Sequence, residues 1–448
     1  MIRIRHACRR GLTLIEMMVA MLIGSLLIVA VLLVLAGQLT SNGLGRAGSE
    51  SARRTTGSNS DLDQAAAIAM YQLDKWIRSA GSGFASLVTL PICVRSGTCT
   101  STTIASITSY AYGCQLFAAT SGGTQLLPLT SSTLLGPFGT GANFPNTTTP
   151  GVLRLLPALI IPNATTPNMT NMLSPSPANT SDALVLMSSG NGYGEGPSAI
   201  SAATASQLTL SNTVPFAGAN VNDMALLVHT DGSSGCMITQ AKLTGTTDGS
   251  ATALPLGGGW YVSSVGAQTV VGYASAGVVL DMGDPSSTST QPPSFQVIGV
   301  GDNDTLYSYD LLGLRTPQLQ SRGENVFELH ALYGVDTDGD DKVDTWVAPT
   351  TTGYTVADLT AGTAAAAATI RKIKALRVGL ILRTDLPEKN PVAASSSTSV
   401  TLFQPLIDAG SSSSLLYTRN FTGAETNYRY RTVETTIPIR NDAYTYLH

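Results

Sequence analysis

The chain has 448 residues, of which 43% are hydrophobic and only 12% charged, with a net charge of −4. Ordinary soluble domains carry about 25% charged residues, so this surface is unusually uncharged, yet the chain is not apolar enough for a multi-span membrane protein. The acidic balance gives no indication of a basic nucleic-acid-binding surface, and the length permits one large domain or two to three ordinary ones. Charge is also unevenly spread: Arg3, Arg5, Arg9 and Arg10 cluster at the start, and no Asp, Glu, Lys or Arg occurs from Ser96 to Leu153. Such a surface fits packing into an assembly, or exposure outside the cell, better than the cytosol.

Met17 to Gly37 is an uncharged, mostly apolar stretch of 21 residues. At about 1.5 Å per helical residue it is long enough for a bilayer core of about 30 Å. The arginines ahead of it predict a cytoplasmic N-terminus. The stretch is too long for a secretory signal peptide. A plain signal anchor leaves Glu16 unexplained, because a carboxylate at the mouth of a span is costly unless paired.

Residues 41–84 continue the helical region. Gly43, Gly45, Gly48 and Gly57 are expected to interrupt it, and an amphipathic helix is predicted from Asp61 to Arg78, opened by a capping-box pair, Ser60 and Asp63. Leu62, Ala66, Ala69, Leu73 and Trp76 or Ile77 fall on one face, a stripe suited to packing on a sheet. Glycines in Trp76–Phe84 end the helix.

From 85 to 448 the sequence reads as a β-rich head. Strands are expected at Asp182–Ser189, Met224–Thr230, Met237–Thr244, Ser294–Val300, Thr305–Tyr309, Ala375–Arg383 and Tyr428–Arg440, the last an edge or bulged strand because of Pro438. In Ala375–Arg383, Leu376, Val378, Leu380 and Leu382 point one way and Arg377 and Arg383 the other. Low-complexity surface insertions are expected at Thr120–Thr149, Pro162–Thr180, Asp284–Pro293 and Ala393–Ser399. Six Asn-x-Ser/Thr matches read as incidental in a chain so rich in Thr and Asn.

Cys8 stands ahead of the apolar stretch, and beyond it Cys93, Cys99, Cys114 and Cys236 are an even number that reads as two disulfides beyond the membrane. Three connectivities are open, and Cys93–Cys99 with Cys114–Cys236 is the pairing adopted. Residues Asp336 to Asp344 form an aspartate loop. Asp336, Asp338, Asp340 and Asp344 stand at positions 1, 3, 5 and 9, with the carbonyl of Lys342 at 7, like the front of an EF-hand calcium loop. Glycine is at position 4 rather than 6, and Val347 replaces the bidentate glutamate at 12, so the expectation is a calcium loop of another kind, completed by further ligands or water. Asp302 and Asp304 read as a turn. His229 and His330 sit in expected strands, where structural imidazoles are the expectation, and no nucleophile-elbow, phosphate-loop or zinc-protease motif appears. The chain is therefore expected not to be an enzyme, a membrane-anchored extracytoplasmic hydrolase being the remote alternative.

Two sets of residues carry a family resemblance. The segment from Arg9 to Glu16, Arg-Arg-Gly-Leu-Thr-Leu-Ile-Glu, resembles the class III leader of type IV pilins and pseudopilins. That resemblance implies cleavage by a prepilin peptidase after Gly11, N-methylation of Leu12, and pairing of Glu16 with the new terminal amine of a neighbouring subunit. Leu12 stands where most members carry phenylalanine. The stretch VFELHALYGVDTDGDDKVDTW (Val326–Trp346), then ALRVGLILRT (Ala375–Thr384) and RYRTVETTIPIRN (Arg429–Asn441), resembles the PilW-type minor pilins, and the Trp76–Gly81 helix end is similar too. Residues from roughly 85 to 300 lie outside the resemblance.

The implied fold is α+β and type IV pilin-like. Residues 1–11 are a leader and 12–40 a transmembrane or fibre-core helix, the N-terminal half of a long helix that packs on a β-rich head. The implied function is that of a minor pilin priming pilus assembly at the tip, in support of twitching, adhesion or DNA uptake. The implied partners are other minor pilins, the major pilin, the prepilin peptidase and the inner-membrane assembly platform. Direct nucleic-acid binding is not implied. The chain would sit in the bacterial inner membrane before assembly and in the pilus at the cell surface after it. The alternative is a J-type minor pseudopilin of type II secretion.

Overall fold

A computed structural model describes residues 44–84, 112–127, 153–162, 181–190, 197–211, 220–229, 235–244, 252–274, 277–286, 289, 292–388, 399–408 and 413–439. The expected membrane stretch, Met17 to Gly37, lies outside them. Among the described residues no helix is long and apolar enough to cross a membrane. The chain divides into two compact units, residues 1–61 and 62–448. In the first, the described part is helical from Leu44.

That helix runs without a break from Leu44 to Ser79, through Gly45, Gly48 and Gly57. The expected interruption and the expected start at Asp61 are both corrected. Each interior glycine costs about 1 kcal/mol relative to alanine, which weakens a helix without forbidding it. Ser60 and Asp63 are interior positions, so they do not cap.

The predicted stripe is the buried face: Leu62, Ala66, Ala69, Leu73 and Ile77 are at most 6% exposed. Each fully buried Leu or Ile removes apolar area worth about 1.5–3 kcal/mol. Alanines in the stripe let the helix approach closely. A Cβ placed on Gly323 would lie 3.2 Å from that of Ala69, a contact tight enough that helix or strand would have to give by a few tenths of an ångström. Arg322 of the same strand lies over the Trp76 ring at 5.0 Å. At the helix end, Gly81 N–H donates to the Met187 carbonyl, and Phe84 meets Phe295 edge to face.

The helix shares its core with a five-stranded antiparallel sheet, in the order Leu319–Gly323, Thr305–Asp310, Ser294–Gly301, Ala183–Ser188, Ala158–Ile161. An eight-stranded sheet is built from strands between Leu116 and Gly283. It is antiparallel throughout except where Leu116–Ala119 runs parallel to Cys236–Gln240. One face of it joins the main core, and the other closes a separate apolar cluster around Leu208, Leu227, Met237, Leu254 and Tyr273. Gln125–Leu127 is a strand of this sheet, so the stretch expected as a pure insertion from Thr120 carries one strand before leaving the described residues.

A four-stranded antiparallel sheet runs Thr345–Val347, Val326–Val335, Ile373–Arg383, Tyr430–Pro438, with the Pro438 strand on the edge as expected. The sequence alternation is obeyed: Leu376, Val378, Leu380 and Leu382 face the main core. The opposite face is covered as well. A hairpin, Ser399–Leu402 with Tyr417–Asn420, closes a third cluster of Phe327, Leu332, Ile381, Leu402, Phe403 and Phe421 over it. Gly379 permits this, since a Cβ there would lie 3.0 Å from Leu402 Cδ1.

Candidate functional site

The aspartate loop follows directly from strand Val326–Val335 and returns through Thr345–Val347. Short Asx-type bonds shape it. Asp336 is buried, and its two oxygens accept from the N–H groups of Gly339 (2.6 Å) and Asp341 (3.0 Å). Asp338 accepts from the Asp340 N–H and Asp340 from that of Lys342. Gly339 and Asp341 take positive φ, 88° and 64°, which folds the chain back on itself. Asp336, Asp338 and Asp340 each bring a carboxylate oxygen within 4.8 Å of the others.

Asp344 points elsewhere: it accepts from the Thr337 N–H (2.7 Å) and hydroxyl (2.8 Å), and these bonds hold its carboxyl below the usual range. The Lys342 ammonium lies 2.6 Å from Asp340 and, by hydrogen bonding, lowers its carboxyl too. Lys374 pairs with Asp341 at 2.9 Å. The loop thus brings three of the five candidate ligand residues together, gives Asp344 to Thr337, and sets Lys342 as a counter-charge. The three form an all-oxygen donor set suited to a hard cation. Asp304 sits in a turn at positive φ and pairs with Arg383.

A second polar constellation was not legible in the sequence. Strand alternation puts Glu328 and His330 on the hairpin side of the four-stranded sheet, beneath Tyr417 and Arg419. Glu328 is fully buried. Its Oε1 accepts from Arg419 Nε (2.7 Å), and its Oε2 from the Tyr417 hydroxyl (2.8 Å), with His330 Nε2 at 3.3 Å. His330 Nδ1 faces Asp182 Oδ2 at 3.6 Å, and its ring stacks on Tyr417 with centroids 3.6 Å apart. Asp182 is held along the same strand by the Ala331 N–H, and Ser181 by that of Leu329. Arg419 reaches on to Glu425 at 2.6 Å. Burial alone would lower the His330 pKa, but hydrogen bonds to Asp182 and Glu328 together raise it. The only signal in the sequence was a Glu and a His two apart within an apolar strand. His229, the other strand histidine, stacks on Tyr273 at 4.1 Å.

Cys114 and Cys236 form a disulfide with Cα atoms 5.7 Å apart, beside the parallel strand pair, where Cys236 N–H also donates to the Gln115 carbonyl. Cys93 and Cys99 lie outside the described residues, as do Gly11, Leu12 and Glu16.

Comparison with known families adds two matches. Residues 312–441 match the model of the type IV pilus-assembly protein W family. Residues 6–32 match the prokaryotic N-terminal methylation motif. The first spans the aspartate loop, the four-stranded sheet and its hairpin; the eight-stranded sheet lies outside both. No curated protein and no solved structure matches the chain.

Proposed function

We propose, from the premise that this chain is a PilW-type minor pilin of the type IV pilus with a class III prepilin leader, that it is a structural subunit that helps prime the fibre at its tip. The observation that carries the reading is the joint occurrence, in one polypeptide, of a methylation-type leader at 6–32 and a pilus-assembly segment at 312–441. Prepilin peptidase cuts after Gly11, and Leu12 becomes the methylated N-terminus. The chain is anchored in the inner membrane with its head outside the cytoplasm. It then passes into the pilus beside the major pilin and the other minor pilins, with the assembly platform driving the transfer. Apolar helix surface moves from lipid into a helical fibre core, an exchange with little net hydrophobic cost.

The aspartate loop is the reading's metal site: Asp336, Asp338 and Asp340 hold calcium, with the Lys342 carbonyl and water completing the oxygen set. Support comes from the approach of the three carboxylates. The ion's part is structural, neutralising the carboxylates and stiffening the turn between two strands.

The test is the intact mass and N-terminal sequence of the native protein, together with the phenotype of its loss. Expected are a chain beginning at N-methylated Leu12 and a strain lacking surface pili with exoprotein export intact. A product still beginning at Met1, or a strain with pili intact and export abolished, overturns the proposal.

A further inference from the structure

The imidazole of His330 has a carboxylate on each ring nitrogen, Glu328 at 3.3 Å and Asp182 at 3.6 Å, in a site 5% exposed. Ionised carboxylates only accept, and a neutral imidazole has one N–H to donate, so only the doubly protonated ring serves both. We propose that His330 is a pH-sensitive latch that holds the paired strands Ser399–Leu402 and Tyr417–Asn420 over the outer face of the four-stranded sheet, closed while the ring is doubly protonated and loosened when it gives up one proton.

The groups that face this ring come from every element around it. Its own strand supplies Glu328, and the segment entering strand Ala183–Ser188 supplies Asp182. The hairpin supplies Tyr417, stacked on the ring, and Arg419 on Glu328; the turn after it supplies Glu425, which draws on the same guanidinium. In the neighbouring strand Gly379 stands opposite His330, and Arg377 is committed to Glu434. With the ring charged, two cations face three carboxylates; with it neutral, Arg419 alone does. Glu328 is the common point. It binds both hairpin residues and the ring, so a change of charge at His330 is felt where the hairpin is attached.

The sign follows from the geometry. A histidine whose folded pKa is raised stabilises the closed form fully below its unfolded value of about 6.5, and that contribution is lost as pH rises through the folded value. Opening would uncover Phe327, Leu332 and Ile381, now roofed by Leu402, Phe403 and Phe421.

Hydrogen exchange of the full chain in detergent micelles, corrected for the intrinsic pH dependence of exchange, tests this between pH 6 and 9. The protection factors of Val400–Leu402 and Tyr417–Asn420 are expected to fall about tenfold or more, while those of Leu376–Leu382 hold. In His330→Gln, whose amide cannot charge, hairpin protection should be low and flat with pH. Flat hairpin protection in the wild type, or an equal fall in His330→Gln, overturns the proposal. Asp182→Asn serves if that variant does not fold: removing one carboxylate should move the transition to lower pH, and an unmoved midpoint overturns the latch equally.

Discussion

Asp223 carries a carboxyl pushed up to about 7, first by burial and then by repulsion from Asp281 and Asp284. A folded carboxyl that keeps its proton longer than the unfolded one makes stability fall as pH rises from about 4 through about 7. Asp223→Asn should therefore flatten that decline and raise the chemical denaturation midpoint at pH 8, with little change at pH 4; a wild-type-like slope would remove Asp223 as its source. The aspartate loop makes the opposite demand, for a bound charge. At a hundredfold excess over Kd a site-bound ion adds about 2.7 kcal/mol, so calcium should raise the melting temperature of the full chain and a chelator should lower it. Asp338→Ala should abolish that response. A melt indifferent to both leaves an ordinary turn held by Lys342 and Lys374. The carboxylate cluster was legible in the sequence because Asp336, Asp338 and Asp340 lie within a few residues of one another. The Glu328 network was not, because Arg419 and Asp182 stand 91 and roughly 150 positions from the strand they meet, and nothing local announces such a meeting.

At the scale of elements, periodicity was the reliable signal. The helix stripe and the alternation of Ile373–Arg383 both hold, because burial on one face fixes them whatever lies opposite. The helix start did not follow from its glycines, since propensity is a weak local cost. Sheet membership was not legible either: Leu116–Ala119 and Cys236–Gln240 are brought parallel across more than a hundred residues. The disulfide between Cys114 and Cys236, separated by 122 positions, stands beside that pairing. In the chain-entropy view a closed loop of this size contributes on the order of 4–5 kcal/mol, by restricting the unfolded chain. A Cys114→Ser, Cys236→Ser double variant is expected to lose about 2–5 kcal/mol of unfolding free energy, read as a lower denaturation midpoint. Exchange should quicken first in Leu116–Ala119. An unchanged midpoint would mean that strand hydrogen bonds and the Leu116 core contacts hold the register unaided.

For the whole molecule, the two family matches bracket a long middle that neither covers, and the eight-stranded sheet with its own apolar cluster fills much of it. The matched segments thus stand towards the two ends of the chain. The N-terminal end makes the sharper demand. On the proposed reading, cleavage after Gly11 creates an ammonium at Leu12 that enters a low-dielectric fibre core, and Glu16 of a neighbouring subunit is the acid proposed to neutralise it. Removing one partner of a buried ion pair costs about 3–5 kcal/mol, because the other charge remains uncompensated. Glu16→Ala should therefore lower the amount of this subunit in sheared pili about a hundredfold or more, each 1.4 kcal/mol being about a factor of ten. Its level in the membrane fraction, its leader cleavage and the melting temperature of the full chain should stay as in the wild type, since Glu16 lies outside the 62–448 unit. Immunoblots of the two fractions read the ratio directly. Wild-type incorporation of Glu16→Ala would show that the ammonium finds another partner in the fibre, and the pairing would have to be reassigned.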